Sequence, residues 1–165
     1  MAEVYLALGS NIGDRAGYLH SALELLMRRV GEMKAVSSVY ETEAWGEIMQ
    51  DDYLNMVVKM QTKLEPQVLM QTLQSIELEL GRLKKEKWKE RIIDIDILFY
   101  DQMIYSATDL TIPHPYMEFR LFVLVPLNEI APELLHPVLK KNMKTILKEC
   151  KDTLAVKELE VIPNR

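Results

Sequence analysis

The chain has 165 residues, 48% hydrophobic and 27% charged, with a formal net charge of −5. That length supports one compact domain over residues 1–165 with its own core, and the acidic balance excludes the broad basic field that holds nucleic acid. The lone cysteine, Cys150, excludes an intramolecular disulfide framework and points to a reducing compartment, and no apolar run reaches membrane-spanning length. A cytoplasmic, soluble protein with no nucleic-acid or membrane partner is therefore expected. Residues 4–8 form a short apolar stretch, too short for a signal segment and sized for a strand. Gly9-Ser10-Asn11-Ile12-Gly13 follows as a turn, with Asp14 placed to cap a helix. Leu19, Ala22, Leu23, Leu26 and Val30 keep helical spacing, and Gly31 suits the stop. Residues 35–40 read as a second strand.

Residues 41–52 are polar and irregular, with Gly46 and an isolated Trp45; the segment is long for a hairpin loop, hence functional or mobile. Residues 53–61 alternate. Leu54, Met56, Val58 and Met60 form one face; Tyr53, Asn55, Val57 and Lys59 form the other. Pro66 fits the first position of a helix whose stripe is Leu69, Leu73, Ile76, Leu80 and Leu83, ending near Gly81-Arg82. A basic loop over 84–90 precedes a β-branched strand over 91–100. Thr111-Ile112-Pro113-His114-Pro115 is stiff and extended, since each proline restricts itself and its predecessor. Residues 121–130 suit a helix interrupted by Pro126, and a short helix over 142–150 precedes a polar tail. The order β-α-β-β-α-β followed by helices predicts an α+β, ferredoxin-like fold, a mainly antiparallel sheet covered by helices. Such a fold hosts many functions, so activity must be argued from a site.

The strand over 91–100 carries the strongest chemical signal. Ile93, Ile95 and Ile97 share one face, so Asp94 and Asp96 share the other. Two adjacent carboxylates repel unless solvated or neutralised by a cation; hard oxygens suit Mg²⁺, which takes one or two carboxylates plus substrate phosphates. A solvated acidic strand face is the competing explanation. Arg82, Lys84, Lys85, Lys87, Lys89 and Arg91 fall in one window, which suggests an anion site in an acidic chain, although Glu86 and Glu90 interrupt it. His114, held between prolines, is aimed in a fixed direction and suits a phosphate oxygen. Arg82, Arg91 and Arg120 offer planar forks for phosphate. Tyr53 and Asn55 could stack on a flat heterocycle and read its edge, with Phe122 as a second wall; equally, both aromatics suit an ordinary core or rim.

Several motifs together resemble one family. Leu8-Gly9-Ser10-Asn11, Tyr40-Glu41-Thr42, Asp52-Tyr53-Leu54-Asn55, Ile76-Glu77 with Gly81-Arg82, and Trp88 with Arg91 occur in order. They are followed by Asp94-Ile95-Asp96-Ile97-Leu98, Pro113-His114-Pro115 and Arg120-Leu121-Phe122-Val123-Leu124. Over residues 4–137 the chain is similar to the 6-hydroxymethyl-7,8-dihydropterin pyrophosphokinases of folate biosynthesis. The resemblance implies an ATP-dependent diphosphokinase that moves diphosphate from ATP to the pterin hydroxymethyl group and releases AMP. It implies two Mg²⁺ ions held by Asp94 and Asp96, and a pterin held by Thr42, Trp45, Tyr53, Asn55 and Phe122. It implies an ATP site of Gln74, Glu77, Arg82, Lys84, Trp88, Arg91, Ile97, Thr111, His114 and Arg120, of which Arg82, Arg91, His114 and Arg120 serve the phosphates and catalysis. A monomer acting on small molecules is expected. The chain departs from the family pattern at Lys84, at Lys89-Glu90 where Gly-Pro is usual, at Glu43-Ala44 where proline is expected, and at Asp109 and Tyr116 where basic residues are common. A lysine at 84 keeps charge but loses the fork. A metal-dependent nucleotide hydrolase and a catalytically silent binding module are the alternatives.

Overall fold

The computed structural model describes residues 1–42, 52–81 and 92–159. Its elements run β1 (Ala2–Ser10), α1 (Arg15–Arg29), β2 (Gly31–Val36), β3 (Tyr40–Thr42), β4 (Tyr53–Thr62), α2 (Pro66–Glu79) and β5 (Asp94–Tyr100). They continue with β6 (Tyr105–Ser106), β7 (Thr111–Ile112), a 3-10 turn (Met117–Phe119), α3 (Leu121–Ile130), α4 (Met143–Glu149) and β8 (Val156–Glu158). The main sheet is six-stranded among the described residues, in the order β5-β1-β4-β3-β8, with β2 also on β4. Every pairing is antiparallel. This is the α+β, ferredoxin-like arrangement anticipated from the element order.

Local chemistry sets the element ends. The Asp14 carboxylate accepts the Gly17 N–H and caps α1, Pro66 opens α2, and the Asn142 side chain accepts the Thr145 N–H to cap α4. Gly31 is required by close approach: a Cβ there would meet the Gln61 carbonyl at 1.9 Å.

Three expectations change. The strand anticipated over 35–40 is two strands, because β2 and β3 pass β4 with an extra residue: Val36 pairs with Val58, yet Tyr40 pairs with Asn55. Ser37 bridges the break, its N–H donating to Val57 O and its Oγ accepting the Val57 N–H, both at 2.9 Å. The helix over 121–130 runs through Pro126 without interruption. The polar tail is not featureless, since β8 pairs along β3.

The sheet has a core on each face. Leu19, Leu26, Leu69 and Ile76 from α1 and α2 pack on Leu6, Met56 and Ile95. Val123, Leu127, Met143 and Ile146 from α3 and α4 pack on Tyr5, Val57 and Leu98. A register shift between Tyr5 and Leu6 lets Leu98 and Phe99, adjacent in sequence, both enter this second core. The Glu129 carboxylate near the end of α3 accepts from the Tyr40 hydroxyl at 2.6 Å and the Ser38 N–H at 3.0 Å, tying that helix to β3. Burial and this carboxylate hold the Tyr40 phenol well above its ordinary pKa, so it stays a donor.

Candidate active site

On the face covered by α3 and α4, strand register builds a row of side chains. Asp94 lies opposite Gly9, Gly9 opposite Asn55, and Asn55 opposite Tyr40; one step along, Asp96 lies opposite Ala7. Opposed residues on antiparallel strands share a face. Acids therefore stand on one strand, small residues on the next, and a polar amide on the third. Gly9 keeps the floor open: a Cβ there would lie 3.1 Å from Asn55 Oδ1. Asn55 is 7% exposed and its Nδ2 donates to Thr42 Oγ1 at 3.0 Å, which fixes the amide plane.

Above this floor is a cavity of about 620 Å³ lined by Thr42, Tyr53, Asn55, Asp94, Asp96 and His114, with Phe119, Arg120 and Phe122 on its helical wall. The Arg120 guanidinium lies 5.9 Å from the Phe122 ring centre. A second cavity of about 410 Å³ lies past the outer edge of β5, lined by Gln74, Glu77, Ile97, Thr108, Asp109 and Thr111. Asp96 and His114 line both cavities.

His114 is held at this junction. Its backbone N–H donates to Leu98 O at 3.0 Å, and the Ile112–Pro113 bond just before it is cis. Its Nδ1 is 2.8 Å from Pro115 O. A carbonyl only accepts, so Nδ1 carries the proton, leaving Nε2 to face Asp96 Oδ2 at 4.0 Å. The Asp96 side chain is 58% exposed, open to a ligand from either cavity.

A match to the family described as 7,8-dihydro-6-hydroxymethylpterin-pyrophosphokinase (HPPK) covers residues 5–132. This chain belongs to the HPPK family. A pyrophosphokinase of Aquifex aeolicus is 44% identical over 144 residues, spanning 87% of this chain and 89% of its own. The Bacillus subtilis pyrophosphokinase is 45% identical over 130 residues, 78% of each chain. In fold, the chain is similar to a Plasmodium falciparum HPPK-DHPS structure with a TM-score of 0.74 at 18% identity; 90% of this chain aligns, spanning 43% of that longer one.

The donor set fits the divalent cation on which HPPK enzymes depend. Asp94 and Asp96 offer hard oxygens beside Gly9 and Ala7, which leave room above them. No group of three or more His, Cys, Asp or Glu gathers among the described residues, so these supply no complete cage. Two carboxylates with further sites left to phosphate and water suit Mg²⁺.

The fold brings together every described residue that the HPPK resemblance implicated, but divides them between the two cavities. Thr42, Tyr53, Asn55, Asp94, Arg120 and Phe122 line only the first; Gln74, Glu77, Ile97 and Thr111 line only the second. One of them, Ile97, faces its cavity with backbone rather than side chain. The Ile97 side chain is 5% exposed within the core. The Ile95 N–H points to the outer edge of β5, where it donates to Glu77 Oε2 at 2.7 Å, so two residues on Ile97 presents its own N–H and C=O to the same edge. Trp45, Arg82, Lys84, Trp88 and Arg91 lie outside the described residues.

Sequence reasoning passed over Phe119, which lines the first cavity and is 64% exposed. It sits in a 3-10 turn with no periodicity to reveal it. Gly9 looked like an ordinary turn glycine, and only strand register places it between an acid and an amide.

Proposed function

We propose that the two cavities are the pterin and ATP sites of a single transfer reaction, and that Asp96 and His114 stand where the substrates meet. As an HPPK, the protein transfers pyrophosphate from ATP to hydroxymethyldihydropterin in folate biosynthesis. The junction at Asp96 and His114 carries the spatial reading, since a two-substrate transfer needs adjoining sites that share a polar border.

The first cavity suits a flat heterocycle. Tyr53 and Phe122 supply ring faces, and Asn55, fixed by Thr42, reads the edge; Trp45 belongs to the same role. The second cavity takes the nucleotide, with the Ile97 backbone edge and Thr111 toward the base and Gln74 at the rim. Glu77 acts indirectly by holding the β5 edge through Ile95. Arg82, Lys84, Trp88, Arg91, His114 and Arg120 serve the phosphates as cationic or hydrogen-bonding groups.

In the reaction the pterin hydroxymethyl oxygen bonds to the β-phosphorus and loses its proton to solvent. The bond from that phosphorus to the bridging oxygen of the α-phosphate breaks, and AMP leaves with the oxygen. Such chemistry needs alignment and charge stabilisation more than a covalent intermediate. Asp94 and Asp96 hold Mg²⁺, two ions in this reading; bound there, the metal neutralises phosphate charge and lowers the pKa of an oxygen it touches. The reading includes a cytoplasmic monomer with residues 1–165 as one domain, which sedimentation tests. The decisive assay is AMP release: it should depend on the pterin alcohol and yield pterin diphosphate. ATP hydrolysis indifferent to the pterin would overturn the assignment in favour of a hydrolase.

A further inference from the structure

We infer that residues 151–159, beyond the family match that ends at residue 132, form a strap that positions the pterin pocket, with Asp152 as its positioning residue. The inference rests on the reading of the first cavity as the pterin site. Arg120 flanks the start of α3 without offering a side-chain cap. The cap comes from the strap: Asp152 Oδ2 accepts the Leu121 N–H at 3.0 Å, while Oδ1 accepts the Leu154 N–H at 3.0 Å and fixes the turn. A carboxylate there also opposes the positive end of the helix. Leu121 lies between Arg120 and Phe122, both on the helical wall of the cavity. Past that turn, β8 pairs along β3, with Val156 opposite Thr42. Thr42 in turn holds Asn55. One segment therefore grips the stacking wall through Asp152 and the edge-reading wall through β3, and fixes the gap between them.

The test is steady-state kinetics on Asp152→Ala and Asp152→Asn, varying pterin alcohol and ATP separately. Losing a cap of this kind should raise the KM for the pterin about tenfold in Asp152→Ala. The KM for ATP should rise far less, since none of the strap's contacts lies at the second cavity, and Asp152→Asn, which keeps one carbonyl acceptor, should recover most of the loss. Lys157→Pro gives an independent check if Asp152→Ala does not fold. The Leu159 N–H donates to Val39 O, so Lys157, two residues earlier, presents its N–H to β3, and proline removes it. It should produce the same pterin-selective rise. Unchanged pterin KM in the folded variants, or equal rises for both substrates, overturns the inference. A wild-type protein without pterin-dependent AMP release would instead overturn the site reading beneath it.

Discussion

Asp94 and Asp96 point from one strand face into the first cavity, and Asp96 also borders the second. In the proposed reading, removing either carboxylate removes a donor to Mg²⁺. Asp94→Ala and Asp96→Ala should each abolish AMP release with little change in melting temperature; near-normal turnover with Mg²⁺ in either variant would exclude the metal role. Phe122 is a different case, because its ring is half-buried in the pocket wall. Phe122→Ala should weaken pterin binding by about 1–3 kcal/mol through lost burial and stacking. Calorimetry should show ATP binding far less affected, and equal losses for both ligands would count against a pterin sandwich. His136 bears on stability rather than catalysis. It is 5% exposed, its ring packs edge-on to Phe99, and its Nδ1 accepts the N–H groups of Val138 and Leu139 at 3.2 and 3.1 Å. Burial lowers its pKa from 6.5, partly opposed by Glu118. The unfolded ring therefore takes a proton before the folded one does, so this contribution is intact above pH 6.5 and is lost as pH falls through the folded value. Urea midpoints should drop on acidification through that range, and His136→Leu should show a shallower drop; an identical slope would remove His136 as the cause.

At the level of elements, β5 is an edge strand whose outer side must be satisfied by something other than another strand. Glu77 on α2 does this, 4% exposed and accepting the Ile95 N–H. Ile95 lies directly between Asp94 and Asp96, so the bond that locks helix to strand also fixes the strand that carries both acids. Glu77→Ala leaves a buried donor unmet and should cost about 1–3 kcal/mol of stability, with Glu77→Gln costing less because an amide oxygen still accepts. Chemical denaturation separates the two; equal losses would mean that the bond to Ile95 is not what Glu77 contributes.

At the scale of the molecule, the sheet sets two cavities on different sides of one strand, and the proposed reading gives one to each substrate. The cavity proposed for the pterin is lined by rings and a fixed amide, which need no metal to bind. With divalent metal stripped by chelator, transfer should stop while pterin still binds, as followed by ligand fluorescence. Loss of pterin binding together with activity would mean that the metal itself holds the pterin. The segments 41–52 and 83–90 are expected from their polarity to order on binding both substrates; residues 43–51 and 82–91 lie outside the described part of the chain. Hydrogen exchange on the free protein and on a complex with pterin and a non-hydrolysable ATP analogue tests this, and equal protection in both states would defeat it.

Much of this protein was legible in its residue order, because period-2 and period-3.6 patterns are local consequences of backbone geometry. Alternation put Asp94 and Asp96 on one face, and Tyr53 and Asn55 on another, before any fold was known. Capping by Asp14 and the start of α2 at Pro66 were equally local. What pattern could not supply is which strand lies beside which. Register alone brings Asp94 across Gly9 to Asn55, and turns a commonplace glycine into the floor of a pocket. The split between β2 and β3 depends on one residue more than β4 offers partners for, and that mismatch exists only once the strands pair. The bond from Ile95 to Glu77, the cap from Asp152 and the strand β8 escaped for the same reason: each joins a partner chosen by packing, over a sequence separation that no local preference spans. Residue order alone carries the types of the longer elements and the chemistry of each strand face. Tertiary structure decided which faces meet, and so divided one set of residues between two adjoining cavities.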